Sequence, residues 1–101
     1  MNVRDRIAEL AADRILVIDG SYGVLIQRRV KGEEAYRGER FRNHERPLAG
    51  DPDLLNLTHP EIVREIHDAY LEAGADILKT NSFTATSIGQ SDYELESYAA
   101  E

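Results

Sequence analysis

The chain has no cysteine, which rules out disulfides and thiolate metal sites alike. Basic residues are in the minority. Twelve Lys and Arg stand against 19 Asp and Glu, for a net charge of −7, so the basic face that a nucleic-acid partner requires is missing. No apolar run approaches the length of a membrane span, and the N-terminal MNVRDRIAEL is charged where a signal peptide would be apolar. There is no internal repeat and no low-complexity segment. At 101 residues there is no room for a second domain, so one domain over residues 1–101 is expected. A 42% hydrophobic and 31% charged composition is that of an ordinary soluble protein, and the expected location is the cytoplasm, with neither membrane nor nucleic acid as partner.

What is present is an alternation of elements. Val3, Ile7 and Leu10 recur at helical spacing and predict an amphipathic helix over residues 3–12. Ile15-Leu16-Val17-Ile18 is a short branched apolar run that reads as a buried strand, followed by a turn with Gly20 and Gly23. Val24, Leu25, Ile26 and Val30 suggest a brief second helix. Residues 31–57 form a long, charged excursion with a turn of helix. The clearest element follows: Thr58 and Glu61 as a capping box, Pro60 in the first turn, an apolar face through Ile62, Ile66, Ala69, Tyr70 and Ala73, and Gly74 as the stop. Residues 75–80 read as a second strand ending in Thr80-Asn81-Ser82. Residues 85–101 read as the opening of another helix carrying Ile88, Leu95 and Ala99. Strands alternating with helices predict an α/β fold with a parallel sheet, whose chemistry gathers beyond the carboxyl ends of the strands.

Asp19 falls at such a strand end. Pattern alone leaves two readings: a turn-forming Asp that caps the next helix, or an acid at the mouth of a site. A haloacid-dehalogenase phosphatase motif is excluded, because the nucleophilic Asp it needs two residues earlier is Val17 here. Gly20-x-x-Gly23 also lacks the spacing of a dinucleotide-binding loop. His44, His59 and His67 read better as surface histidines than as metal ligands. Arg37, Arg40 and Arg42 could bind an anion, but the simpler reading is a solvated loop anchored by Tyr36 and Phe41. Asp51, Asp53 and Asn56 read as turn formers.

In order and spacing, RILVIDGSYGVLIQ, YRGERF, DLLNLTHPEIVREIHDAYLEAGADILKTNSF and ATSIGQSDYELE resemble the homocysteine S-methyltransferase family from about Arg14 to Glu96. YRGERF favours its cobalamin-dependent, methionine-forming branch. The resemblance implies a (β/α)8 TIM barrel, of which this chain would be the N-terminal fragment: a leading helix and the first two βα units. It implies homocysteine as substrate, with the rest of the barrel and the methyl-donor modules as partners if the chain continues. Zinc would activate the thiol, and cobalamin would serve through other modules. Asp19 matches the family's acid after the first strand, where it holds the substrate's ammonium group. Gly20 and the segment Thr80, Asn81, Ser82 and Phe83 match the pocket wall.

Three cysteines hold the family's zinc, one after a late strand and two in a Gly-Gly-Cys-Cys motif, and none is present here. No metal ligand or catalytic residue is therefore assigned, and the 101-residue chain by itself is expected to be inactive and to self-associate or remain partly molten. The alternatives are a non-catalytic remnant that binds an amino acid or a partner chain, and an unrelated small α/β binding domain. Tyr22 and Val24 replace the usual Met and Thr of the cobalamin branch, and Lys79 replaces its usual Glu.

Overall fold

The computed structural model describes residues 2–101. Helix α1 spans Val3–Asp13, and the Asn2 side chain caps it by accepting the Asp5 N–H at 2.8 Å. The helix expected from periodicity is present, yet it buries no residue, and Val3 stays 76% exposed. The structure as a whole is elongated, with extents of 52 × 26 × 17 Å.

The expected α/β architecture of two βα units from a barrel is not what forms. Residues 15–18 and 75–79 run side by side, but one isolated parallel bridge, Ile18 to Ile77, is the only strand pairing among the described residues. Its backbone bonds are Asp19 N–H to the Ile77 carbonyl at 2.9 Å and Ile77 N–H to the Val17 carbonyl at 3.1 Å. Aspartate side chains take the next donors at both ends. Asp76 accepts the Val17 N–H at 2.9 Å, and Asp19 accepts the Lys79 N–H at 3.1 Å. A donor bonded to a carboxylate is lost to a β-ladder, so the pairing stops there. The faces are uncovered as well: Ile15 is 88% exposed and Ile18 56%, whereas a parallel sheet is stable when buried on both sides.

The rest of the body is helical. Helix α2 spans Gly23–Arg29, α3 Glu33–Arg37, α4 Leu55–Thr58 and α5 Pro60–Glu72, with a 3₁₀ turn at Pro52–Leu54 leading into α4. Ile26 and Val30 from the α2 segment meet Val63 and Ile66 of α5 and Leu54 and Leu55. Tyr36, Phe41, Leu48 and Leu95 complete this core. Burying each such aliphatic or aromatic side chain contributes roughly 1.5–3 kcal/mol.

Pro60 occupies the first turn of α5 as expected, and Gly74 ends the helix region with φ +108°, a conformation that favours glycine. The capping box does not form. Thr58 closes α4 and its hydroxyl donates back to the Leu54 carbonyl at 3.4 Å, while Glu61 pairs with His59 Nδ1 at 2.8 Å. The long helix expected after residue 85 is also broken, into α6 at Ser87–Ser91 and a 3₁₀ turn at Glu96–Tyr98. Glu94 between them takes a left-handed φ of +56°, which no continuous helix contains. As a result Leu95 is buried and Ile88 is left 85% exposed.

Within the excursion 31–57 the Glu33–Arg37 ion pair holds the loop to itself. The Glu33 carboxylate accepts the backbone N–H groups of Leu48 and Ala49 and pairs with Arg37 at 2.9 Å. Arg37 in turn donates to the carbonyls of His44 and Arg46. Tyr36 and Phe41 are buried, so the aromatics do anchor this loop, while Arg37 binds backbone carbonyls and Arg40 pairs with Glu101.

Candidate binding site

The bridge fixes Asp19 where the first extended segment meets the turn into α2. Its side chain is fully buried. The Tyr22 hydroxyl lies within hydrogen-bonding distance of both Asp19 Oδ2 and the Lys79 carbonyl; its one proton goes to the carboxylate, the stronger acceptor. The Lys79 N–H also donates to Oδ2. The other oxygen, Oδ1, has no hydrogen-bond partner among the described residues and faces the Lys79 ammonium at 3.6 Å, an ion pair longer than a hydrogen bond. Burial pushes this carboxyl up, but the Tyr22 hydroxyl, the Lys79 amide and the Lys79 charge outweigh it and hold it below its ordinary value. Asp19 is therefore a carboxylate at neutral pH. It does not cap α2, whose N-cap is Tyr22 and carries no side-chain cap.

Tyr22 is itself held in place. It stacks on Tyr70 with ring centroids 5.8 Å apart and meets His67 edge-on at 5.4 Å. The Tyr70 hydroxyl donates to the Ser21 carbonyl. Burial, and after it the Asp19 carboxylate, push the Tyr22 phenol well above its ordinary value, so it remains a donor.

Beside this cluster lies an open cavity of about 640 Å³. Gly20, Ser21, Tyr22, Gly23 and Ile26 form one wall, Pro52 and Asp53 another, and Lys79 through Phe83 the third. Gly20, Thr80, Asn81, Ser82 and Phe83, all singled out in the sequence, thus border a single space. Asp19 does not border it, since Tyr22 and Lys79 stand in front. A side chain at Gly20 would press on the Tyr70 hydroxyl, 3.1 Å from the position of its Cβ. Asn81 is a structural tie, donating to the Pro52 carbonyl at 2.8 Å and receiving the Asn56 amide on its own carbonyl. Phe83 projects almost wholly into solvent.

Tyr22, Lys79 and Asp53 also border this cavity: the sequence marks Tyr22 and Lys79 only as departures from the family's pattern at the pocket, and Asp53 only as a turn former. Asp53 is no simple turn former: its Oδ2 accepts both the N–H and the hydroxyl of Thr84 at 2.6 Å, 31 positions away. No local signal announces such a pair. Tyr22 was legible in principle, because a long side chain three residues after Asp19 across a tight turn reaches back to it.

The homocysteine S-methyltransferase family model matches residues 16–101, which include every residue of this site. The chain belongs to that family. Transfer of a methyl group to homocysteine is the family's activity. The residues present do not fit the family's zinc: there is no cysteine, and among the described residues no group of three or more His, Cys, Asp or Glu side chains is placed to hold a metal ion. The three histidines are apart in role. His44 meets the Tyr93 carbonyl, His59 meets Glu61, and His67 packs on Tyr22. Among the described residues no helix is long and apolar enough to cross a membrane.

Proposed function

We propose that this chain supplies the amino-acid-binding face of a methionine-forming homocysteine S-methyltransferase, of the cobalamin-dependent methionine synthase kind. The observation that carries this reading is the buried Asp19 carboxylate. It is ionised, one oxygen lacks a hydrogen bond, and it lies just behind a cavity bordered by Gly20 and Thr80 to Phe83. An orphaned buried carboxylate oxygen is costly, and a substrate ammonium group would satisfy it. The homocysteine chain would then lie along Thr80, Asn81, Ser82 and Phe83. Because the chain offers no zinc ligand set, we assign it binding without thiol activation, and the 101-residue chain alone is expected to form no methionine.

The test is titration of the purified chain with homocysteine under reducing conditions, followed by calorimetry, with Asp19→Asn as the comparison. Saturable binding that Asp19→Asn weakens by about a hundredfold supports the reading. Equal binding by both proteins, or methionine formation by the isolated chain, would refute it. The second reading, a non-catalytic amino-acid-binding remnant, is favoured by the same lack of zinc ligands. It predicts binding that persists when the thiol is replaced by a methyl thioether.

A further inference from the structure

The cavity also presents a cation. Lys79 borders the cavity while Asp19 sits behind it, and the Lys79 side chain is about half exposed. The Lys79 ammonium stands 3.6 Å from Oδ1, the one Asp19 oxygen that lacks a hydrogen bond. Lys79 is thus both part of the cavity wall and the cation that faces the buried Oδ1.

Two features make that exchange inexpensive. The ion pair is longer than a hydrogen bond and its lysine end is half exposed, so opening it breaks no hydrogen bond and returns the ammonium to water, while the buried Oδ1 passes to the incoming ammonium rather than being left without a counter-charge. Asp19 is held by contacts that do not involve the ammonium: the Tyr22 hydroxyl and the Lys79 backbone N–H both bind Oδ2. The carboxylate therefore stays in place while the lysine side chain swings, and Lys79 remains anchored by its own backbone beside it.

We propose that Lys79 is a specificity-determining residue that reads the substrate's α-carboxylate. The Asp19–Lys79 pair opens to admit a zwitterion, whose ammonium takes Oδ1 and whose carboxylate takes the displaced lysine. One internal ion pair is replaced by two external ones of matching polarity, so the site selects an α-amino acid over a simple amine. This rests on the assignment of Asp19 to the substrate ammonium.

The experiment compares homocysteine with 3-amino-1-propanethiol, the same molecule without its carboxylate, by calorimetry on the full chain and its Lys79→Gln and Lys79→Arg variants. The unaltered protein is expected to prefer homocysteine about tenfold, the effect of one partly exposed charged contact. Lys79→Gln should erase that preference by weakening homocysteine without weakening the amine, and Lys79→Arg should largely restore it. Lys79→Gln binding homocysteine as tightly as before, or more tightly, would overturn the proposal and reduce Lys79 to a plug. If Asp19→Asn weakens binding as expected while the preference survives in Lys79→Gln, this proposal alone fails. If Asp19→Asn binds homocysteine normally, the assignment of Asp19 fails and this one with it. Circular dichroism confirms that each variant is folded, and a half-exposed position tolerates these changes.

Discussion

Asp19 and Asp51 are both buried aspartates with one oxygen lacking a hydrogen bond, yet their surroundings drive them in opposite directions. Asp19 has a hydroxyl, a backbone amide and an ammonium about it, and these hold its carboxyl below the ordinary value. Asp51 has one side-chain donor, Gln90 Nε2 at 3.0 Å, with the acid Asp53 nearby. Burial, and after it the Asp53 charge, push Asp51 up against the Gln90 bond. Burial by itself therefore does not mark a binding carboxylate. What distinguishes Asp19 is its donors and its place directly behind a cavity, whereas Asp51 lies among Leu48, Leu54 and Gln90 as part of the fold.

Substitutions test this contrast. The largest expected effect is on ligand binding. Asp19→Asn should weaken homocysteine about a hundredfold, the equivalent of roughly 2–3 kcal/mol for a charged hydrogen bond, measured by calorimetry. Asp51→Asn should leave that affinity within about twofold, and a comparable loss there would erase the distinction between the two acids.

Next come effects on stability. Tyr22→Phe removes the donor on Asp19 Oδ2 and should cost about 1–2 kcal/mol in urea denaturation at pH 7, with the Asp19 carboxyl rising toward its ordinary value. Asp51→Asn should instead stabilise the chain by about 1 kcal/mol at pH 7, because a charge is no longer held in the core. Destabilisation by that substitution would mean that the Asp51 charge is compensated after all.

The pH dependence should separate the pair further. A carboxyl lowered in the folded state contributes stability above its unfolded value, near pH 4 (about 3.9), which is lost as pH falls through the folded value. Asp19 belongs to this class. A raised carboxyl works in reverse: the folded chain holds its proton more tightly, and stability is lost as pH rises from the unfolded value through the folded one. Asp51 belongs to this class. Urea midpoints across pH 2–8 should show Asp19→Asn flattening the acid limb and Asp51→Asn flattening the rise-side loss. The smallest effect is expected at the exposed Arg46–Glu94 pair, where Arg46→Ala should change stability by no more than about 0.5 kcal/mol.

Local signals in the chain were legible where the physics is local. The Val3, Ile7, Leu10 spacing announced α1 and Pro60 and Gly74 bracketed α5, whereas the branched run 15–18, which reads as a buried strand, makes a single bridge and stays largely exposed. The succession of motifs from Arg14 onward was enough to place the chain in its family. A helix or an extended run depends on residues within a few positions of one another, and those are visible in order.

Tertiary structure decided the rest. Whether two extended segments become a sheet depends on what covers them and on which groups take their N–H donors. Here Asp76 and Asp19 take those donors, and the pairing ends after one bridge. Whether an aspartate ties down a turn, stands behind a cavity or is shut into a core depends on partners tens of residues distant: Lys79 for Asp19, Gln90 for Asp51, Thr84 for Asp53. No periodicity encodes those meetings, because each is set by how the helices pack, and packing brings together residues that the chain itself keeps apart.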